Sequence, residues 1–221
     1  MKTPIVFLSA GHGGSDPGAV AYGMQEKNIN LAIMLSCNEI LRKHGVVTVL
    51  SRTKDENDPV SEEVREANNS GADLAVSFHA NAGGGDGFEA FYFMGSEEGE
   101  RLASLCEKYI KQIGQNSRGI KTNNLKFTRD TNMTAVLVES FFVDNDKDND
   151  IGDTTNELKS FGVAYAKAIL EYLNIAYKET LISDEKIYRV QIGAYKNIEN
   201  AQNALQAAKK AGFSDAYINA E

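Results

Sequence analysis

The sequence predicts an α/β fold in which a mostly parallel, twisted sheet is flanked by helices. Three observations favour this class: short apolar runs, longer segments with helical periodicity, and the alternation of the two along the chain. Strands are predicted over residues 5–9, 46–50, 74–78, 88–93 and 135–140. Helices are predicted over residues 28–44, 97–113 and 158–173, with a shorter helix that ends at residue 69.

The first elements each have a local signature. Residues 5–9 form an apolar run that suits a strand buried on both faces. The helix that follows repeats apolar side chains along one side and meets Gly45, a residue type that commonly ends helices. Residues 46–50 are rich in β-branched side chains, which favours a second strand.

The bulk composition limits the classes of function. The chain has 221 residues, 42% of them apolar, which suits one sizeable domain with a small appendage. Its net charge of −8 disfavours binding to nucleic acid and to anionic membrane surfaces. No apolar run approaches the ~18 residues of a membrane span. The apolar stretch at the start is too short for a signal peptide, so we expect synthesis in the cytoplasm without an export signal.

The two cysteines are expected to be buried thiols. Cys37 and Cys106 both lie in segments with helical periodicity. Neither belongs to a CxxC pair or to a Cys/His ligand pair, which disfavours a disulfide or a zinc finger.

The chain divides into three predicted parts. Residues 1–175 hold the α/β domain, and the polar residues 176–186 have no clear period and predict a linker. Residues 187–221 predict a strand (187–193), an alanine-rich helix (198–211) and the start of another strand (216–218). This small β-α-β half-module buries little surface and would be marginal alone.

Polar side chains of catalytic type follow three of the predicted strands. His12 comes soon after the first strand, His79 follows the third, and Glu139 comes near the end of the fifth. In open α/β sheets, functional sites gather at the carboxyl ends of strands. Glu139 also follows apolar residues, among which an uncompensated carboxylate would be costly to bury. The pattern therefore indicates a functional site at this edge of the sheet.

These residue types suit a zinc-dependent hydrolase. Such a site needs nitrogen or carboxylate ligands and one position left for water. His12, His79 and one carboxylate would supply the ligands, and a second carboxylate would carry a proton from water to the leaving nitrogen. Glu26 and Glu139 are the candidates for these two acidic roles. The remaining histidine, His44, lies at a helix end, where a cation is favourable, and is expected to be structural.

Several segments, taken together, resemble the zinc-dependent N-acetylmuramoyl-L-alanine amidases, which cleave peptidoglycan. In chain order they are SAGHGGSDPGA (9–19), GMQEKNINL (23–31), LSRT (50–53), VREAN (64–68), VSFHANA (76–82), RGIK (118–121) and TAVLVESFFVDN (134–145). Two positions depart from the family's pattern. Ser9-Ala10 stand where Asp-Pro is frequent, and Phe141-Phe142 stand where Gly-Phe is usual. Neither change removes a ligand.

The resemblance implies a phosphorylase/hydrolase-like sheet and a single zinc ion bound by His12, Glu26 and His79. It implies that Glu139 acts as general base and general acid. It also implies cleavage of the amide between the lactyl group of N-acetylmuramic acid and the L-alanine of the stem peptide.

Further residues are predicted near the site. Asn81 would orient a ligand, bind the stem peptide or cap a loop. Arg52 and Arg65 would hold carboxylates behind the ligands or anchor loops. The glycines of residues 11–14 would let the backbone turn sharply and approach the metal.

The C-terminal part resembles the start of a SPOR module, a domain that binds the glycan strands of peptidoglycan. The matching residues are YRVQIGAYKNIENA (188–201), in which Gln191 and Tyr195 are candidates for sugar contact. A whole module has β-α-β-β-α-β order, and only its first half is present here. Either the chain is cut short, or halves from two chains pair in a homodimer that covers an exposed sheet edge.

Together these features predict a peptidoglycan amidase with a wall-binding tail. Without a signal peptide it would act at the wall after release, as a phage endolysin or as a sporulation enzyme freed at mother-cell lysis. One alternative is a zinc carboxypeptidase or peptidase, which would bind a free carboxylate of the stem peptide through arginine. Another is a wall-binding protein without catalysis, which the intact set of candidate ligands and base disfavours.

Overall fold

The computed structural model describes residues 3–179, 193–213 and 217–218, and the chain forms two compact units, Met1–Ile182 and Ser183–Glu221. The strands of the described residues are β1 (Ile5–Ala10), β2 (Val20–Ala21), β3 (Met24–Gln25), β4 (Val47–Leu50), β5 (Leu74–Asn81), β6 (Phe88–Tyr92), β7 (Ser117–Thr122) and β8 (Thr134–Phe142). The helices are α1 (Glu26–Lys43), α2 (Val60–Asn69), α3 (Glu97–Gln112), α4 (Lys126–Asp130), α5 (Asp146–Asn149), α6 (Thr155–Tyr172) and α7 (Ile198–Lys210).

Six strands of the first unit form one sheet in the order β4-β1-β5-β8-β6-β7. The first four run parallel, β6 pairs antiparallel with β8, and β7 pairs parallel with β6. This confirms the predicted α/β class with a mostly parallel sheet. Since β6 and β7 run against the others, their first residues lie at the same edge as the carboxyl ends of β1, β5 and β8.

Helices bury both faces of this sheet. Val6 and Leu8 of β1 point into the larger core cluster, which includes residues of α1, α3 and α6. Phe7, between them in sequence, points into the smaller cluster, with Val64 of α2 and Phe127 of α4. Successive strand residues face opposite sides of a sheet. The continuous apolar run of β1 therefore reflects burial on both faces, as its sequence indicates.

The strands that carry the predicted site are longer than their apolar runs. β5 continues to Asn81, so His79 lies within the strand rather than after it, and β8, which contains Glu139 as predicted, extends to Phe142. Polar residues interrupt the apolar pattern, but backbone pairing continues past them. The sequence also fails to predict β7, because SRGIKT has few apolar residues; β7 is one of the two edge strands, and most of its residues are partly buried.

One further expectation is met in the first unit. Cys37 and Cys106 are buried free thiols. Helix α1 begins at Glu26, two residues before the predicted start, so this carboxylate lies in the first helical turn, where negative charge is favourable. Within residues 3–179 and 193–213, no helix combines the length and the apolarity needed to cross a bilayer.

The described part of the second unit contains the predicted alanine-rich helix. In α7 the side chain of Asn197 accepts hydrogen bonds from the backbone N–H groups of Glu199 and Asn200 and so begins the helix. Most of the predicted strand 187–193, most of the linker and Gln191 lie outside the described residues. Of the predicted strand 216–218, the structure describes residues 217–218.

Candidate metal centre

Three side chains from different elements meet at the carboxyl edge of the sheet. His12 lies in the loop after β1, Glu26 begins α1, and His79 lies on β5. One ligand atom from each lies within 4.8 Å of the other two. His12 Nε2 is 3.2 Å, and His79 Nδ1 is 3.0 Å, from the same carboxylate oxygen, Glu26 Oε1. Within the described part of the chain, no other group of histidines, cysteines or acids has this geometry.

The loop after β1 turns sharply at His12. This residue has a φ of 65°, in the left-handed region that non-glycine residues seldom adopt. Gly13 and Gly14 also have positive φ, and a backbone bridge joins Gly13 to Asp16. The turn directs the His12 imidazole toward the start of α1.

The His79 imidazole lies directly against Gly11. A Cβ at this position would be 2.1 Å from His79 Cε1 and 2.2 Å from Nε2, so a larger residue would occupy the space of the ring. Gly18 leaves similar room for Glu26, since a Cβ there would be 2.5 Å from Oε2. These glycines are therefore required by the packing of the ligand side chains, beyond the flexibility of a turn.

Neighbouring groups orient the side chains of the cluster. His12 Nδ1 is 2.8 Å from Asp16 Oδ2, which leaves Nε2 to face Glu26. Glu26 Oε2 accepts a hydrogen bond from the backbone N–H of Ala19 at 2.8 Å, and Oε1 accepts one from that of Ala80 at 3.1 Å. Metal-binding histidines usually have such an acceptor behind them, which fixes the ring's orientation.

The proximity of these groups shifts their pKa values. The hydrogen bond with Glu26 raises the pKa of His12 to about 9, although burial acts in the opposite direction. Burial favours a higher pKa for Glu26, but hydrogen bonds with both histidines outweigh it and lower the pKa. Burial favours a lower pKa for His79, and the bond with Glu26 outweighs it and raises the pKa. Without a metal, the negative charge of Glu26 therefore favours the protonated form of both imidazoles.

Glu139 lies beside this cluster, on the strand next to that of His79. The two residues are direct register partners in β5 and β8. Glu139 Oε2 is buried and accepts no hydrogen bond from any described residue. Burial raises the pKa of Glu139 to about 7, against the opposing charge of His79. A carboxyl group with such a pKa both accepts and releases protons near neutral pH.

A polar group that the sequence does not identify lies on the other side of Glu139. Glu89 of β6 is the register partner of Glu139 and is buried. Its Oε1 accepts hydrogen bonds from Lys121 and, at 2.7 Å, from Arg118 Nε; its Oε2 accepts one from Asn81 at 3.1 Å. The only signal in the sequence is a single acid within a short apolar run, which is equally typical of a solvent-facing position.

The two predicted arginines have different surroundings. Arg52 is almost fully buried and donates to the backbone carbonyls of Ala10 at 2.9 Å and Lys27 at 2.7 Å, which ties the loop after β1 to α1. Arg65 is exposed and its guanidinium binds Glu62 on the same helix. The structure thus brings Arg52 to the base of the site, and it shows no contact of Arg65 with the cluster among the described residues.

The remaining predicted residues have simpler surroundings. His44 ends α1, where its Nδ1 is 2.8 Å from the Ile40 carbonyl oxygen, and its ring stacks on Tyr177. This agrees with the expected structural role. Tyr195, in the second unit, is 49% exposed, and its sugar contact stays a prediction.

The fold and the cluster define a class of protein: an α/β domain with a two-histidine, one-glutamate site at the carboxyl edge of its sheet. Within this class, the family model for N-acetylmuramoyl-L-alanine amidases matches residues 6–171. Because the match covers more than half of the chain and includes the whole site, this chain belongs to the N-acetylmuramoyl-L-alanine amidase family.

Relatives and solved structures agree with this assignment. The sporulation-specific N-acetylmuramoyl-L-alanine amidase of Bacillus subtilis is 35% identical over 212 residues, which cover 94% of this chain and 82% of that protein. The endolysin of Bacillus phage SPP1 is 33% identical over 225 residues, covering 96% and 83%. The catalytic domain of an N-acetylmuramoyl-L-alanine amidase from Bacillus (Paenibacillus) polymyxa var. colistinus is 31% identical, with a TM-score of 0.74, and the match covers 79% of this chain and 100% of that one.

A SPOR-domain model matches residues 162–219, which confirms the resemblance of the C-terminal part. This match begins well before residue 187. Residues 162–172 form the end of α6, whose Tyr165 and Ile169 are fully buried in the core of the first unit. The start of the match therefore overlaps a helix that the amidase fold needs, and the predicted boundary between the domains stays a prediction.

Proposed function

We propose that this amidase acts through one zinc ion bound by His12, Glu26 and His79, with Glu139 as general base and general acid. The observation that carries the proposal is the approach of the three ligand atoms within 4.8 Å beside a buried, unpartnered carboxyl oxygen. The bond it would hydrolyse is the amide between N-acetylmuramic acid and L-alanine in peptidoglycan, as in the family.

The residues fit zinc in three respects. Two imidazole nitrogens and a carboxylate oxygen are a donor set found in catalytic zinc sites. Asp16 supplies the acceptor behind His12, and Gly11 leaves the space that the His79 ring occupies. When bound, zinc would polarise the substrate carbonyl and lower the pKa of water.

Glu139 is suited to both proton transfers of amide hydrolysis. As a carboxylate it accepts a proton from the attacking water, and as a carboxylic acid it then gives that proton to the nitrogen of L-alanine. The C–N bond breaks as the nitrogen is protonated, which leaves a lactyl carboxylate and a free amine. A pKa of about 7 allows both forms to be populated near neutral pH.

Digestion of purified peptidoglycan with and without a chelator tests this function. We expect free stem peptides that begin with L-alanine, and only in the presence of zinc. Shortened stems still attached to muramic acid would instead indicate a carboxypeptidase or another peptidase. If the zinc-loaded chain binds peptidoglycan but releases nothing, it is a wall-binding protein.

We predict that zinc binding depends steeply on pH. Because Glu26 raises the pKa of His12 to about 9, His12 is protonated in the metal-free protein at neutral pH, and zinc competes with that proton. Below about pH 9 the zinc affinity should rise by up to roughly tenfold per pH unit for each proton displaced. Calorimetric titration in buffers with different ionisation enthalpies measures the protons released. An affinity that is constant between about pH 6 and about pH 8 would contradict a protonated ligand set.

The tail should contribute wall affinity rather than chemistry. Deleting residues 184–221 should weaken sedimentation with peptidoglycan, because the SPOR-like part is lost, and should leave turnover of small soluble muropeptides within about twofold. The same deletion tests the homodimer, since a dimer that forms through paired half-modules should become monomeric in analytical ultracentrifugation. Loss of activity on small muropeptides would show that the tail supports the catalytic fold.

The setting in which the enzyme acts also belongs to this proposal. We infer action at the cell wall after release from the cell that makes it. The similar relatives include both a sporulation-specific amidase and a phage endolysin. Both settings use the same chemistry, so the site itself favours neither.

A further inference from the structure

The strand order arranges the polar side chains of the site in a row across the sheet edge. From one side to the other, these are His12 after β1, His79 on β5, Glu139 on β8 and Glu89 on β6, which the side chains of Arg118 and Lys121 reach from β7. Neighbouring strands are about 4.8 Å apart. The guanidinium of Arg118 reaches back over β6 to Glu89, so it lies roughly one strand spacing from the strand of Glu139.

The β7 end of this row carries excess positive charge. Arg118 and Lys121 both bind Oε1 of Glu89, so two cations share one carboxylate. Arg118 uses its Nε for this bond, and no described residue accepts a hydrogen bond from its two Nη groups. The Arg118 and Lys121 side chains are 43% and 41% exposed, so they are accessible from solvent.

Buried contacts hold these cations in place. Glu89 has 7% of its side chain exposed, and its second oxygen accepts a hydrogen bond from Asn81. The Arg118 guanidinium also lies 5.2 Å from the centre of the Phe142 ring, on the strand that carries Glu139. The charged groups are therefore positioned by the sheet itself, as a preformed anion site requires.

The proposed proton transfer sets the direction in which the stem peptide leaves. Glu139 must touch the nitrogen of L-alanine, so the peptide that this nitrogen begins extends on the Glu139 side of the three ligands. On the opposite side, next to His12, lies a cavity of about 270 Å³ whose charged lining residues other than His12 are Asp16 and Asp58. An anionic peptide is disfavoured there and favoured toward β6 and β7.

We propose that Arg118 and Lys121, held by Glu89, form a subsite for the free α-carboxylate of D-glutamate, the second residue of the stem peptide. This inference rests on the proposed amidase function. D-Glutamate continues the stem through its γ-carboxyl group, which leaves the α-carboxyl as an anion unless it is amidated. An extended chain advances about 3.5 Å per residue, so this carboxylate reaches about one strand spacing or more beyond the scissile nitrogen. Arg118 and Lys121 lie in that direction, since both bind Glu89, the register partner of Glu139.

The test uses two muropeptides that differ in one group. N-acetylmuramoyl-L-alanyl-D-γ-glutamyl-L-lysine is assayed with its D-glutamate α-carboxyl free and with the same carboxyl amidated, using the zinc-loaded full chain. We expect kcat/KM to favour the free acid by roughly tenfold to a hundredfold, the range of a charge-assisted hydrogen bond pair. In Arg118→Gln and in Arg118→Gln/Lys121→Gln the preference should fall toward unity, mainly through loss of activity on the free acid. Arg118→Lys should keep part of the preference for the free acid.

Arg101→Gln is the matched control. Arg101 is an arginine of similar exposure, bound to Glu98 near the start of α3, which follows the far end of β6. Arg101→Gln should leave the preference for the free-acid muropeptide unchanged. If Arg118 is purely structural, Arg118→Gln should lower activity on both muropeptides equally and leave the ratio of their kcat/KM values unchanged. That result would overturn the subsite. A wild-type enzyme that cleaves the free and the amidated muropeptide with equal kcat/KM would also overturn the subsite.

Failure of the amidase proposal can be told apart from failure of the subsite. If neither muropeptide is cut at L-alanine, the amidase proposal fails, and calorimetric binding of the tripeptide L-alanyl-D-γ-glutamyl-L-lysine, with its D-glutamate α-carboxyl free or amidated, still tests the subsite. Equal affinities would overturn it. Release of the terminal lysine would show that the cations hold the carboxyl terminus of the stem instead, which also overturns it.

Discussion

Glu139→Gln should lower kcat by roughly a thousandfold while zinc remains bound. Glutamine has nearly the same shape as glutamate but accepts no proton, so both proton transfers are lost. Glu139 lies beside the three ligands and supplies none of their atoms, and removing its charge leaves the donor set intact. Zinc content by metal analysis and turnover of a small muropeptide are the two measurements.

Glu62→Gln is the matched control for this substitution. Glu62 is an exposed carboxylate on α2 whose partner is Arg65, and its loss should change neither zinc content nor turnover. If Glu139→Gln retains activity within about tenfold of wild type, Glu139 is not the base, because removal of a catalytic base costs more than this. If instead the variant loses its zinc, the carboxylate belongs to the metal site.

Gly11→Ala should remove zinc binding without removing any ligand. The new Cβ would be 2.1 Å from Cε1 of His79, so the imidazole must leave the position from which Nδ1 faces Glu26. Moving one ligand out of three should weaken zinc binding by about a hundredfold or more, and activity should fall with it. Zinc affinity by competition with a chromogenic chelator measures the effect.

Gly45→Ala distinguishes this local displacement from general destabilisation. No atom lies within 4 Å of a Cβ at Gly45, and its φ of +79° means that the substitution strains only the backbone. This variant should lose about 1 kcal/mol of stability and keep the zinc affinity of the wild type. If Gly11→Ala binds zinc as tightly as Gly45→Ala does, the close packing of Gly11 against His79 is not required for the metal site.

The sequence by itself determined the main strands and helices of this protein and the residue types of its site. The apolar run of β1 and the periodicity of α1 are local patterns, and local patterns suffice to locate strands and helices. His12, His79 and Glu139 come near strand ends, which predicts a common site. The resemblance to the amidase family then assigns their roles, because its motifs fall in order along the chain.

Only the tertiary structure decides which side chains are neighbours. Residue spacing alone does not tell whether Glu26 or Glu139 joins the histidines; the entry of α1 places Glu26 between them, and strand register places Glu139 beside His79. The pairing of Glu89 with Arg118 depends on β6 and β7, which run against the rest of the sheet. Contacts across a sheet join residues far apart in the chain, so they follow from strand order and direction, which no local pattern of residues encodes.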